Sequence, residues 1–139
     1  MGAPIAQHVV AAGYVYQHHP GHRNRASGKS QWSISEPAER SIFDGSRVRH
    51  WLDQSFGWGL YIRDGRAQYL GVSADHARRL IVAKFVASHS PKVWHGYPAD
   101  HERKTADIPT TNILWQWINP QYLGPAKTRK IMRGQPCNL

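Results

Sequence analysis

Three histidines and three cations, with no acidic residue among them, fall within one short run of the sequence, from His18 to Trp32. Pro20, Gly21 and Gly28 disfavour a helix interior, so the run is predicted to be an exposed loop. A neutral imidazole can accept a proton and a protonated one can return it, while arginine and lysine can hold a phosphate. The run therefore has the side chains needed to cleave a phosphodiester without a metal. The candidates for proton transfer are His18, His19 and His22, and the candidates for contact with phosphate or RNA are Arg23, Arg25, Lys29, Ser30 and Trp32.

Two other interpretations of this run stay open. Loop histidines and arginines are often simply hydrated, and composition alone does not separate that case from a functional site. The histidines could also form part of a zinc site, with Asp44 or His50 as a further ligand. The Pro20-Gly21 step prevents a helical i,i+4 pair and no cysteine is nearby, so we expect a site without a metal or another cofactor.

A second candidate site lies at the end of a predicted short strand, Val93-Trp94. His95 follows the strand, and Gly96 and Pro98 permit a tight bend there. Polar residues at strand ends commonly build functional sites, and Tyr97 could stack on a base. The alternative is a packed aromatic corner in which the histidine bonds a carbonyl. His95 is our fourth candidate catalytic residue, and Tyr97 a candidate RNA-binding residue.

A third candidate is a pair of predicted helices near the C-terminus, residues 110–118 and 125–133. The pair has helix-turn-helix proportions, and the second helix carries a basic face that could lie on phosphates or enter a groove. A helical hairpin with hydrated cations would look the same in sequence. The cations of this face are Lys127, Arg129, Lys130 and Arg133.

The charge of the whole chain favours a polyanionic partner. Lysine and arginine number 18 against nine acidic residues, a formal net charge of +9 on 139 residues. Such an excess attracts nucleic acid, anionic lipid or an acidic protein. No apolar stretch approaches the ~20 residues of a membrane span, so no membrane partner is expected. Cys137 is the sole cysteine, which excludes an intrachain disulfide and fits a reducing compartment such as the cytoplasm.

Local patterns predict the order of the elements. Apolar spacing from residue 5 predicts a helix that Gly13 ends, and Ser35 is placed to cap a second helix that Asp44-Gly45 interrupts. Ser46 would cap a further short segment. Asp64-Gly65 between two β-prone runs predicts a hairpin within residues 58–72.

Residues 73–88 carry apolar side chains at helical spacing, residues 93–94 form a short strand, and residues 95–109 are predicted to be a mobile connection. Together these patterns predict one domain, residues 1–139, of the α+β class. Its parts are a small antiparallel sheet with a central hairpin, flanking helices and a helical C-terminal pair.

This order of features resembles the small bacterial ribonuclease toxins of the barnase, colicin and RelE type. The step Lys29-Ser30-Gln31-Trp32 looks like the Lys-Ser-aromatic step that follows a histidine-containing basic segment in those domains. Residues 93–98 look like a late strand that ends in their site. The resemblance covers about half of the chain, and the basic helical C-terminus is not part of the pattern. It implies a curved antiparallel sheet and metal-independent cleavage of RNA.

The leading hypothesis is therefore a small, basic, cytoplasmic endoribonuclease that acts as a toxin on RNA. A toxin of this charge would need an acidic inhibitor or antitoxin protein, with carboxylates facing Arg23, Arg25 and Lys29. The alternative is a non-catalytic regulatory protein that binds DNA or RNA with its C-terminal helices.

Overall fold

The computed structural model describes residues 6–139, which fold into two β-sheets and three α-helices. The larger sheet has six strands in the order β1-β2-β9-β8-β4-β5. Neighbouring strands in it are antiparallel, except that β2 and β9 run parallel. The bounds are β1 Gln7–Ala11, β2 Tyr14–Gln17, β4 Phe56–Arg63, β5 Arg66–Gln68, β8 Val82–Ala87 and β9 Val93–Pro98.

A smaller antiparallel sheet follows the histidine-rich loop. Its three strands lie in the order β3-β6-β7, with bounds β3 Gln31–Trp32, β6 Gly71–Val72 and β7 Arg79–Leu80. The helices are α1 Glu36–Val48, α2 Thr111–Ile118 and α3 Pro125–Met132. The predicted α+β class, the central hairpin and the C-terminal helical pair are confirmed. The sheets are larger than predicted.

The first predicted helix is wrong. The described part of that segment forms an antiparallel hairpin, β1 with β2, and Gly13 turns the chain at a φ of 80°. Residue 5, at the start of the predicted helix, lies outside the described residues. The helical spacing of Val9 and Val10 was misleading because the neighbouring alanines suit either structure, whereas pairing with β2 satisfies the backbone groups on one side of this edge strand.

Helix α1 begins as predicted but does not stop at Asp44-Gly45. The Ser35 hydroxyl oxygen accepts a hydrogen bond from the Ala38 amide (3.2 Å), so Ser35 is the predicted N-cap. A glycine inside a helix costs only about 1 kcal/mol, and burial of Phe43 on the same helix outweighs it. Ser46 is therefore an interior residue of α1, and its hydroxyl donates back to the Ile42 carbonyl (2.8 Å).

Residues 73–88 are not a helix either. Strand β8 occupies the second half of this segment and lies between β4 and β9 in the centre of the sheet. Residues 82–85 are all buried because the sheet is covered on both faces at this point. The apolar run of β8 is broken only by Lys84, whose buried ammonium donates to the Ala106 carbonyl (2.6 Å), and periodicity alone does not separate such a run from a buried helix.

The core has two parts, and the histidine-rich loop adjoins the second. The first part lies between the sheet and the C-terminal helices and includes Trp51 and Trp117. The second lies between the sheet and α1 and includes Phe43, Phe85 and Trp94. Within residues 6–139, no helix is long and apolar enough to cross a membrane.

Candidate functional site

Three of the four histidines predicted to be catalytic lie in a row. His19 is in the middle, with its ring centroid 5.0 Å from that of His22 and 6.3 Å from that of His95. All three side chains are partly exposed. We call these three residues the histidine row. The fold thus brings together the first and second candidate sites of the sequence, which are more than 70 residues apart.

The parallel pairing of β2 with β9 is what joins them. Tyr16 lies opposite Trp94 in this pairing, so the next residues along both strands, Gln17 and His95, also come together. The Gln17 carbonyl lies 3.1 Å from the His95 Nδ1. His19 follows two residues later, where the chain leaves β2 and enters a short 3-10 turn, Pro20–His22.

The backbone fixes the Nδ1 atom of each imidazole in the row. A carbonyl can only accept, so His95 donates from Nδ1 to Gln17, and His22 donates from Nδ1 to the Ser30 carbonyl (2.8 Å). His19 is the reverse case, because its Nδ1 accepts from the Gly21 amide (3.0 Å). The neutral forms of His22 and His95 therefore have a lone pair on Nε2, whereas neutral His19 has a proton there. No hydrogen bond within residues 6–139 uses any of these three Nε2 atoms.

The surroundings keep two of these imidazoles neutral at physiological pH. Burial lowers the pKa of His19, and the positive charges of Lys29 and His95 lower it further. Burial also lowers the pKa of His22, against a smaller opposing effect of its bond to the Ser30 carbonyl. Neutral His22 with a free Nε2 lone pair is suited to accept a proton from a substrate.

His22 lines a cleft of about 250 Å³. The Tyr97 ring stacks on His22, with ring centroids 5.1 Å apart and an angle of 16° between the planes. The Tyr97 hydroxyl donates to Asp107 (3.0 Å). Burial, together with the nearby Asp107 carboxylate, raises the pKa of Tyr97 well above its usual range. Tyr97 therefore supports His22, and one face of its ring is already covered. The cleft is lined by His22, Gly28, Lys29, Ser30, Ala74, Tyr97, Asp100, Arg103, Lys104 and Asp107.

Both carboxylates of the cleft are neutralised by the protein itself. Asp100 forms a two-pronged ion pair with Arg78, with both N···O distances 2.6 Å. Burial alone would raise the pKa of Asp100, but these bonds outweigh it and the pKa is lowered. Asp107 accepts from Tyr97 and from the Asp100 amide and lies 3.7 Å from the Lys84 ammonium. The unpaired charge of the cleft is therefore positive.

His18 does not belong to the row, which corrects one predicted catalytic residue. It is buried, and its Nδ1 lies 2.9 Å from Glu39 Oε2, while Arg40 donates to its Nε2 (3.0 Å). Glu39 is completely buried and also accepts from Tyr16 and from Arg23. We call Tyr16, His18, Arg23 and Glu39 the Glu39 network. No side chain of this network lines the cleft.

Two of the residues predicted to contact phosphate or RNA, Arg23 and Trp32, make their contacts within the protein instead. Arg23 lies 2.8 Å from Glu39 Oε1 and donates to the Ile34 carbonyl, so it ties the loop to α1. Trp32 is buried in the second part of the core and is not available to stack on a base. Ser30 lines the cleft, but its hydroxyl donates to the Pro98 carbonyl (2.7 Å) and so links the loop to β9.

Lys29 and Arg25 remain as cations at the surface of the loop. The side-chain carbons of Lys29 pass over Gly21, where a Cβ would lie 2.7 Å from Lys29 Cδ and 3.0 Å from His19 Cε1. Gly21 thus lets the lysine and the histidine pack together. Arg25 is exposed, and its amide donates to Gln31 Oε1 (2.9 Å).

The predicted C-terminal cations lie away from the cleft. Helix α3 packs on α2 with Thr128 and Ile131 buried, and three of the four predicted cations on it and at its C-cap are exposed. None of the four lines the cleft: Lys127, Arg129, Lys130 and Arg133. In residues 6–139, no group of three or more histidine, cysteine and acidic side chains is arranged to hold a metal ion, so the zinc alternative gains no support.

Sequence reasoning missed the residues that hold the site in place. Gln31 is buried and donates to the Gly21 carbonyl (2.8 Å), which closes the loop, and Asp107 fixes Tyr97. Only Glu39 had a usable signal. It shares the i, i+3, i+4, i+7 face of α1 with Ile42, Phe43 and Ser46, where an acidic residue indicates a buried polar network.

Comparisons with family models, with curated proteins and with solved structures gave no significant match. The function therefore has to be argued from the geometry of the site alone.

Proposed function

We propose that this protein cleaves RNA by transferring the scissile phosphate to the neighbouring 2′-hydroxyl. The observation that carries the proposal is the histidine row, in which three imidazoles keep unpaired Nε2 atoms and one of them, His22, lines a positively charged cleft. Proton transfer and phosphate binding are what this reaction needs, and the row and Lys29 supply side chains for both.

The hydrogen bonds suggest a role for each residue. His22 takes the proton from the 2′-hydroxyl, whose oxygen then attacks phosphorus. His95 in its protonated form gives a proton to the departing 5′-oxygen. His19, between them, donates from Nε2 to a phosphate oxygen, and Lys29 balances the negative charge. The products are a 2′,3′-cyclic phosphate and a 5′-hydroxyl end.

The direct test is the cleavage of an RNA oligonucleotide in the presence of EDTA by wild-type protein and by single His→Ala variants. General acid or base catalysis contributes ~10²–10⁴ in rate, so His22→Ala and His95→Ala should each lose that much. His89→Ala is the matched control, because His89 is exposed and lies outside the row and the cleft. The catalytic role is wrong if neither variant loses more than about tenfold.

A second measurement separates the acid from the base. The substrate for this test is a ribonucleotide ester of p-nitrophenol. Its leaving group, p-nitrophenolate, departs without needing a proton. His95→Ala should therefore recover most of its lost rate on this substrate, whereas His22→Ala should not. Recovery of the His22 variant in place of the His95 variant would reverse the two roles.

The wider biological role that we propose is that of a cytoplasmic toxin held in check by an acidic protein. Because Arg23 is bonded to Glu39, the partner would instead meet Arg25 and Lys29. Reversing both to glutamate should abolish binding of the inhibitor while the circular dichroism spectrum is unchanged. Unchanged affinity of this variant for the inhibitor would place the partner elsewhere.

The exposed basic face of α3 keeps one alternative open, a nucleic-acid-binding protein without catalysis. In that case affinity for RNA or DNA should survive every substitution in the histidine row. It should instead fall when Arg129 and Lys130 are changed to alanine. For the enzyme that we propose, RNA cleavage should instead fall with substitutions in the histidine row and survive those of Arg129 and Lys130.

A further inference from the structure

The cleft contains two cations that sequence reasoning did not single out. Arg103 and Lys104 line it from the segment of residues 100–107, which follows β9. Both are exposed, and no acidic side chain in residues 6–139 lies within ion-pairing distance of either head group. They are therefore available to an anion that enters the cleft.

The backbone beneath these two cations is fixed. The Lys104 amide donates to the Asp100 carbonyl (3.0 Å), and the Asp107 amide donates to the Lys104 carbonyl (3.0 Å). The Asp107 carboxylate in turn accepts from the Asp100 amide (2.9 Å), and the buried His101 ring bonds the Gln135 carbonyl (2.7 Å). The first four residues of the predicted mobile connection, 95–98, belong to β9, and the turn that follows is thus anchored by hydrogen bonds and presents its cations from that base.

The site has a definite order along its length. His95 contacts His19, His19 contacts His22, and His22 lines the cleft to which Arg103 and Lys104 belong. A phosphate at the histidine row would therefore have the cleft at one side. The carboxylates that could repel a second phosphate there, Asp100 and Asp107, are already bonded within the protein.

We propose that Arg103 and Lys104 bind the phosphate adjacent to the scissile one, so that the substrate is an oligonucleotide with at least two phosphodiesters. The inference rests on the proposed cleavage of RNA and adds a binding site to it. Charge-assisted contacts of this kind are worth about tenfold or more in affinity, which should appear as a preference for longer substrates.

Chimeric substrates test this directly. Each contains a single ribose, so that only one bond can be cleaved, and all other sugars are 2′-deoxy. One is a dinucleotide, and the other two are trinucleotides with the extra phosphate on the 5′ or on the 3′ side. Each is prepared as a pool of all base sequences. One of the two trinucleotides should have a kcat/KM about tenfold above that of the dinucleotide.

The variant Arg103→Gln/Lys104→Gln should lose this advantage, so that its ratio of kcat/KM for the better trinucleotide to that for the dinucleotide approaches one. The matched control is Arg63→Gln/Arg66→Gln, which removes two exposed cations at the β4–β5 turn and should keep the wild-type ratio.

The outcomes separate the two claims. If none of the substrates is cleaved by wild-type protein, the proposed function itself is wrong. If all are cleaved but the ratio is the same in wild type and in the Arg103/Lys104 variant, only the second phosphate site is wrong. An equal fall of the ratio in the control would show that net charge, and not this cleft, causes the preference.

Discussion

His18 and His19 are neighbours in the sequence and have opposite environments in the fold. His18 is buried, with its Nδ1 2.9 Å from Glu39 and its Nε2 bonded to Arg40, whereas His19 is partly exposed and has one nitrogen unpaired. Both residues follow directly after β2, and the backbone at His19 is still extended (φ −88°, ψ 116°), so consecutive side chains point to opposite sides. One of two adjacent histidines thus belongs to the Glu39 network and the other to the histidine row.

The comparison separates stability from chemistry. The network satisfies a completely buried carboxylate with partners from β2 and from the loop, so it holds the loop on α1. The row uses only one nitrogen of each imidazole for support and leaves the other for a ligand. Substitutions in the two regions should therefore have different consequences, and the following predictions test that difference.

The largest effect is expected for Glu39→Ala. Removing one partner of a buried ionic network leaves the others uncompensated, which costs ~3–5 kcal/mol. Arg23 and His18 would both lose their contact with the carboxylate. Urea denaturation should show a loss of this size. A loss below about 1 kcal/mol would mean that water or another group replaces the carboxylate, and that the network does not hold the loop.

The adjacent pair His18→Ala and His19→Ala sharpens the contrast. The first should destabilise the fold by ~1–3 kcal/mol, because it leaves buried polar groups unpaired. The second removes a partly exposed ring that caps the Gly21 amide, which should cost ~0.5–1 kcal/mol and so less than the first, while it lowers RNA cleavage. Urea midpoints and cleavage rates of the two proteins check this. Similar stability losses for both would remove the distinction between the two regions.

Gly21→Ala tests the packing within the site without removing a reactive group. The new methyl group would push on Lys29 and His19, whose side chains are flexible enough for the fold to tolerate it. Displacement of groups that position the phosphate should lower kcat/KM roughly tenfold. In a Lys29→Ala background the same change should have a smaller effect, because the new methyl group no longer meets the Lys29 side chain. Equal effects in both backgrounds would contradict this packing.

The smallest effect concerns pH. The pKa values of His19 and His22 are lowered in the folded protein, so the unfolded chain binds more protons below the usual value of about 6.5. Their contribution to stability is therefore full above that pH and is lost as the pH falls from about 6.5 toward the folded values. Urea denaturation at pH 7.5 and 5.5 should show a smaller loss on acidification for His19→Gln/His22→Gln than for wild type. An equal loss would assign the acid sensitivity to other groups.

Local signals in the sequence predicted the local structure well. The Asp64-Gly65 turn has both residues at positive φ, as the hairpin prediction required, and the cap at Ser35 is in place. Predictions that depended on long-range pairing failed. Nothing in the sequence near His19 indicates that β2 will pair in parallel with β9, and this pairing is what brings His95 into the row.

The candidate site shows the same limit. Residue types and the absence of acids pointed to the loop, and its His22 and Lys29 do line a cleft. Which histidine faces inward depended on where β2 ends, and Arg23 was assigned to phosphate because its partner is 16 residues away. His18 and Arg23 both lie against the buried Glu39 carboxylate of α1, and the burial of Glu39 comes from tertiary packing.

The chemical identity of the RNA product tests the central claim most directly. An oligonucleotide that contains one ribonucleotide among deoxynucleotides, and its all-deoxy counterpart, would be incubated with the protein in EDTA. The masses of the products would be measured by mass spectrometry. We expect a 2′,3′-cyclic phosphate and a 5′-hydroxyl end from the first substrate, with no cleavage of the second and almost none of the first by His22→Ala. Cleavage of the all-deoxy strand, or intact RNA after prolonged incubation, would contradict a histidine row that acts through the 2′-hydroxyl.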